Sequence, residues 1–336
     1  MPLHYARLAP FNITRISHVE INVADLAESR RFYEEFAGLV VTEATKDAVY
    51  LRGIEEVSHH SLILRRGDAA TAERIGFRVS TDSDLDALYE FWVGQGLPAE
   101  FVDLPYQGRT LQASDPNGVP VEFIVTMVRT NTRREVLDYV HQRGAAPANF
   151  DHLQLHVSDV ELAADFWAGL GFYTSEAITE NGDPEEPLLA TFMGRKGNAN
   201  DIVFLQNKGP RLHHVAYIVH NPSFVLLHLC DIAQALGFKS NIEWGPNRHS
   251  VGTEQTMYVR DPEGARIEFL SHPYHFDADE PTLVWSTTDP WSTANMFGDD
   301  PPSHWWNEAT VFRGVPVNVP TGGPRVRELL SSVVVR

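Results

Sequence analysis

Cysteine is almost absent: the 336-residue chain has one, Cys230. A disulfide framework and a cysteine metal cluster are therefore excluded, and a reducing compartment such as the cytoplasm is the expected setting. Cationic residues are scarce too. Lys and Arg number 27 against 45 Asp and Glu, a formal net charge of −18, which argues against tracking nucleic-acid phosphates or binding anionic membranes. No apolar run of the ~18 residues needed to span a bilayer occurs, and the opening MPLHYARLAPFNITR has no apolar signal-peptide core. What is present is 43% hydrophobic and 21% charged, the balance of a globular protein with a sizeable core and length for about two domains.

The chain repeats one design four times: an apolar strand, a cap, a short helix, a glycine, then alternating strands. In HVEINVADLAESRRFYEEFAGL, Asp25 with Glu28 predicts a capping box and Gly38 a helix stop. In IGFRVSTDSDLDALYEFWVGQGL, Leu85, Leu88, Tyr89 and Trp92 form an amphipathic stripe. In HLQLHVSDVELAADFWAGLGF, Ser158 and Glu161 predict the cap, and Ala163, Phe166, Trp167 and Leu170 the stripe. In HVAYIVHNPSFVLLHLCDIAQALGF, Pro222 opens the helix, and Val225, Leu229, Ile232 and Leu236 run down one face. The second and fourth units close alike, SDPNGVPVEFIV and RDPEGARIEFL, each a turn followed by a strand carrying a glutamate. The expected architecture is α+β: four βαβββ modules paired into domains at 1–140 and 141–275, joined within the polar stretch 128–150. A tail at 276–336 would cover a site or an interface.

Two histidine pairs invite comparison, VSHHSLIL (57–64) and RLHHVAYIV (211–219). The second opens a module, as His152 does in FDHLQLHV, and that module closes on Glu268. Two imidazoles and one carboxylate at equivalent module positions form the ligand set that grips non-haem Fe(II) on one face and leaves the other open. Strand alternation lets only one of His213 and His214 point inward. The first domain serves as an internal control. His18 corresponds to His152 and Glu122 to Glu268, but Arg74 falls where His214 stands, and arginine ligates no cation. A metal is expected in the second domain only, with His59 and His60 in a structural or interfacial role.

RLHHVAYIV, GPNRHSVGTEQTMYVRDPEGARIEF and DHLQLHVSD, with VYLRGIEEVSHHSLILRRG and the tail PTLVWSTTD, resemble the extradiol ring-cleaving dioxygenases of the vicinal-oxygen-chelate superfamily, most closely its homoprotocatechuate-cleaving branch. The likeness covers nearly the whole chain. It implies two vicinal-oxygen-chelate domains and Fe(II), with Mn(II) as an alternative, on His152, His214 and Glu268. His214 is thereby chosen over His213. The implied reaction takes a catechol and O2 and opens the ring beside the diol to a hydroxymuconic semialdehyde. His249 would hydrogen-bond the reacting oxygens, Tyr258 would stabilise the ring intermediate, and Gln154, Phe192, Trp244 and Arg248 would meet the substrate. A homo-oligomer, tetrameric in relatives, is also implied.

The sequence departs from the family pattern in three places. Asn200 replaces the acid–base histidine, and an amide cannot shuttle a proton. Trp244 and the arginine-free tail segment TTDPWSTANMFG replace the arginines that hold a substrate carboxylate. Gln154 and Phe192 stand for an asparagine and a tryptophan. The expected substrate is thus a catechol without a side-chain carboxylate. Two competing readings are a non-catalytic aromatic-ligand binder on the same modules and a glyoxalase- or epimerase-type metalloenzyme with a fourth protein ligand.

Overall fold

The computed structural model describes residues 8–130, 135–138, 140–195, 197, 199–288 and 295–320. Parts of the expected first domain (1–7), join (131–134 and 139) and tail (289–294 and 321–336) lie outside the described residues. Four βαβββ modules are present. The first runs β1 (Ile13–Val23), α1 (Leu26–Arg31), β2 (Val40–Ala44), β3 (Ala48–Arg52) and β4 (Leu62–Arg66). The second runs β5 (Thr71–Val79), α2 (Asp82–Gly94), β6 (Ala99–Leu104), β7 (Gly108–Ser114) and β8 (Pro120–Ile124). The third is β9 (Asn149–Val157), α3 (Val160–Gly169), β10 (Tyr173–Thr179), β11 (Ala190–Gly194) and β12 (Ile202–Gln206). The fourth is β13 (Arg211–Ile218), α4 (Pro222–Leu236), β14 (Ile242–His249), β15 (Gln255–Arg260) and β16 (Arg266–Leu270). The tail adds β17 (Leu283–Ser286), β18 (Asn295–Phe297) and β19 (Thr310–Val311).

Each pair of modules makes one sheet. The first is ordered β2-β3-β4-β1-β5-β8-β7-β6. The second repeats it as β10-β11-β12-β9-β13-β16-β15-β14, with β17 and β18 added at its two ends and β19 pairing with β13. The opening strands of paired modules run antiparallel at the centre of each sheet, β1 with β5 and β9 with β13. One hydrophobic core spans both halves.

Local chemistry explains most helix ends, with corrections to the expected detail. Asp25 caps α1 by accepting from Ala27 and Glu28 N–H, but Glu28 pairs with Arg31 instead of closing a box. The third helix is capped by Asp159, whose carboxylate accepts from Leu162 N–H, and not by Ser158. Glu161 accepts from Leu188 N–H instead. On α4 the fully buried residues are Leu226, Leu229 and Ala233, so the buried face lies one position beyond the stripe read from Val225 and Ile232, which are half-buried. Gly38, at φ +76, is required: a Cβ there would fall 1.9 Å from the carbonyl oxygen of Arg143.

The two Asp-Pro-x-Gly turns lock the halves together. Asp115 accepts from Asn117 and Val119 N–H with one oxygen and from Trp167 Nε1, on α3, with the other. Asp261 does the same with Glu263, Ala265 and the hydroxyl of Tyr33 in the first module. Burial pushes both carboxyls up to about 6. The folded form thus keeps a proton that the unfolded chain loses near pH 4, and the associated stability, complete below pH 4, is lost as pH rises through 6. Asp115→Asn escapes this loss. Its unfolding free energy relative to the parent should rise by ~3 kcal/mol between pH 4 and pH 7 in urea titrations; a pH-independent difference would contradict the assignment.

Candidate metal centre and its pocket

Strand register builds the site. On the second sheet His152 lies opposite Ala216, which lies beside Glu268, which pairs with Tyr258, which pairs with Trp244. The next row on the same face runs His214, Gln154, Val203 and Phe192 to Glu176. Because side chains alternate along each strand, both rows face one side of the curved sheet. They bring His152 Nε2, His214 Nε2 and Glu268 Oε2 to 3.2–3.4 Å of one another, all buried. Ligands at ~2.1 Å from one ion, with near-octahedral angles, stand ~3 Å apart, so these three residues fit a divalent metal gripped on one face. His213 points the other way, to the Trp305 carbonyl oxygen at 2.8 Å.

Supporting contacts orient two of the three. Asp151 Oδ2 lies 2.8 Å from His152 Nδ1, which fixes the proton there and leaves Nε2 free for an ion. Thr256 donates its hydroxyl to Glu268 Oε1. Beside the triad Tyr258 OH lies 2.9 Å from His249 Nε2, and His249 Nδ1 lies 3.3 Å from Asn295 Oδ1 on β18. Tyr258 stacks on Trp244 at 5.2 Å and meets Trp305 edge-on. The motif arginine Arg266 forms a buried ion pair with Glu243 and donates to the Glu308 carbonyl, tying the tail to the sheet.

In the first sheet the equivalent row is His18, Gly76 and Glu122, with Arg74 at the position of His214. There His18 Nε2 bonds Glu122 Oε1 directly at 2.6 Å, and Gln107 and Gln112 also donate to that carboxylate. The His18 ring lies where a Cβ on Gly76 would stand, 2.2 Å from its Cε1. His59 is buried and stacks on Tyr106 at 3.9 Å, and His60 packs on Tyr50 and His18.

The triad opens into a pocket lined also by Gln154, Phe192, Asn200, Trp244, His249 and Tyr258. Arg248 is corrected. His249 faces the pocket, so its neighbour faces solvent, where the guanidinium bonds the Thr253 carbonyl.

The profile of the Glyoxalase/Bleomycin resistance protein/Dioxygenase superfamily matches residues 15–123 and 149–269. The chain belongs to this superfamily. Within it, the chain is 27% identical to the metapyrocatechase of Geobacillus stearothermophilus over 91% of its own length and 95% of the relative's. It is 26% identical to the manganese-dependent 2,3-dihydroxybiphenyl 1,2-dioxygenase of Geobacillus genomosp. 3, over 81% and 90%. Among solved structures it resembles homoprotocatechuate 2,3-dioxygenase of Brevibacterium fuscum in its anaerobic complex with 3,4-dihydroxyphenylacetate: TM-score 0.85, 31% identity, 93% of this chain and 98% of that one. The α+β fold of paired modules expected from the repeats is the superfamily's fold.

Sequence reasoning missed Asp151, Thr256, Glu254 and Asn295. Thr256 and Glu254 carried a usable signal, since both share Tyr258's parity in TEQTMY. Asn295 carried none, because only the folded tail brings it to His249.

The electrostatics of this superfamily site generate a prediction. Burial opposes protonation of His152, but Asp151 and Glu268 outweigh it and raise the imidazole to about 10. Burial lowers His214 to about 4 despite Glu268. At neutral pH the ion must therefore displace about one proton, from His152. Calorimetric Mn(II) titration at pH 7 should release about one proton per ion, with affinity falling about tenfold per unit as pH drops. His214→Ala should abolish stoichiometric binding and His59→Ala should spare it; near-stoichiometric metal in His214→Ala would overturn the ligand set.

Proposed function

We propose that this chain cleaves a catechol with O2 on the extradiol side, using Fe(II), or Mn(II), held by His152, His214 and Glu268. One observation carries the reading above the others: the triad opens into an apolar pocket that also holds the hydrogen-bonded His249–Tyr258 pair. When bound, the metal supplies a template for the vicinal oxygens and O2 and a path for electrons between them.

The side chains do the rest. Burial holds the Tyr258 phenol well above its ordinary range and lowers His249. Tyr258 is thus a neutral hydroxyl donor and His249 a neutral imidazole, able to take or give a hydrogen bond at the reacting oxygens. Asn200, 4% exposed with its Oδ1 unpartnered, accepts a catechol hydroxyl's hydrogen bond but cannot remove its proton. Phe192, Ile178 and Trp244 exclude water from the ring. The exposed apolar residues Met296, Phe297, Val317 and Val319 on the tail support self-association, and the lone cysteine a cytoplasmic setting.

Oxygen-electrode measurements with the Fe(II)-loaded protein should show one O2 consumed per catechol, together with a coloured ring-opened product. Tight catechol binding without O2 uptake would instead establish the non-catalytic binder. No described residue lining the pocket is Lys or Arg, so a side-chain carboxylate finds no charge-assisted partner, a deficit of roughly 1.5–3 kcal/mol. Homoprotocatechuate should show a kcat/KM at least about tenfold below that of 4-methylcatechol; the reverse order would contradict this account of the pocket.

A further inference from the structure

Three buried carboxyls cluster here, Glu254 and Glu268 lining the pocket and Glu176 beside Glu254, and two of them are held by other residues. Glu268 is held by Thr256 and the two histidines. Glu176 accepts from Gly252 N–H at 3.1 Å, from Tyr274 OH and from Trp285 Nε1 at 2.6 Å. Glu254 is different. It is 6% exposed and lines the pocket, yet no other described residue hydrogen-bonds its side chain, whose one backbone partner is its own N–H. It follows the inward parity of Thr256 and Tyr258. Gly252 makes room for it: a Cβ there would fall 2.0 Å from Glu254 Oε2.

We propose that Glu254 determines substrate specificity by recognising a hydrogen-bond donor on the substrate beyond its vicinal diol, a further hydroxyl or an amino group. The inference rests on the ring-cleavage reading for the placement of the diol on the metal. Leaving a buried polar group unmatched against a methyl group is costly, and a site built around such a group discriminates against ligands that lack its partner. Burial, then Glu176 and Glu268, hold the Glu254 carboxyl well above the usual range, and in either protonation state its oxygens can accept from a substrate donor. Glu176 beside it disfavours an added anion, and no described residue lining the pocket is Lys or Arg. The substituent this wall fits is therefore neutral or cationic, polar and donor-bearing.

The test compares size-matched ligands on the Mn(II)-loaded full chain under argon: pyrogallol with 3-methylcatechol, 1,2,4-benzenetriol with 4-methylcatechol, and 4-(aminomethyl)catechol with 4-ethylcatechol. In at least one pair the polar member should bind about ten- to hundredfold more tightly. Glu254→Leu should bring that ratio to about one, and Glu254→Gln, which keeps the volume and the hydrogen-bonding capacity, should retain part of it. The hydroxyl and amine pairs separate the two donor types. The proposal is overturned if the wild-type protein favours the alkyl member in every pair, or if the preference survives in Glu254→Leu. The wild-type comparison decides the matter even where a variant fails to fold. O2 uptake measured on the same ligands keeps the two readings apart. A polar preference without O2 uptake would sink ring cleavage and leave Glu254's role standing, whereas uptake without preference would do the opposite.

Discussion

Ala216 sits between His152 and Glu268 in the central strand pairing of the second sheet, and that register sets the spacing of everything around it. Once His152 faces Ala216, His214 must face Gln154, two residues away on the same side, because side chains on a strand repeat every second residue. The three ligand atoms then converge without any loop having to place them. The same row extends through Tyr258 to Trp244, so the aromatic wall is fixed by the hydrogen bonds that fix the triad. The first sheet shows how narrow the requirement is. With glycine in place of Ala216 and arginine in place of His214, the corresponding histidine folds over Gly76 and bonds Glu122 itself.

The modules are held in this register by buried polar contacts between the halves as well as by the shared core. Asp115 reaches Trp167 and Asp261 reaches Tyr33, so each Asp-Pro-x-Gly turn is stapled to a module of the other half. The tail is a third support. Arg266 gathers Glu243, the Glu308 carbonyl and the Trp305 ring, and Trp305 closes over Tyr258 and Trp244. The pocket is consequently walled by residues from the sheet and from the tail together.

Much of this was legible in the sequence because it repeats. The four modules and the equivalence of His18 with His152 follow from spacing alone, and Arg74 falls opposite His214's position when residues are counted along the strand. Details decided by competition between neighbours were not legible. Asp159 outcompetes Ser158 for a helix cap one residue away, and Arg248 turns outward because His249 turns inward. Residues whose importance depends on what they face, such as Asp151 behind His152 and Asn295 behind His249, become visible only when strands and tail are assembled. Glu254 shares Tyr258's parity in the sequence, but there it is one acid among 45 Asp and Glu, and burial without a partner from another described residue is what sets it apart.

The central claim is that the strand register presents two imidazoles and one carboxylate to a single ion and leaves its other face to a catechol. A crystal structure of the Mn(II)-loaded protein soaked anaerobically with 4-methylcatechol, with anomalous scattering to locate the metal, tests this directly. The account predicts one anomalous peak bonded to His152 Nε2, His214 Nε2 and Glu268, with both catechol oxygens on the same ion. A fourth protein ligand on the metal, or a catechol seated in the pocket without touching it, would contradict the account.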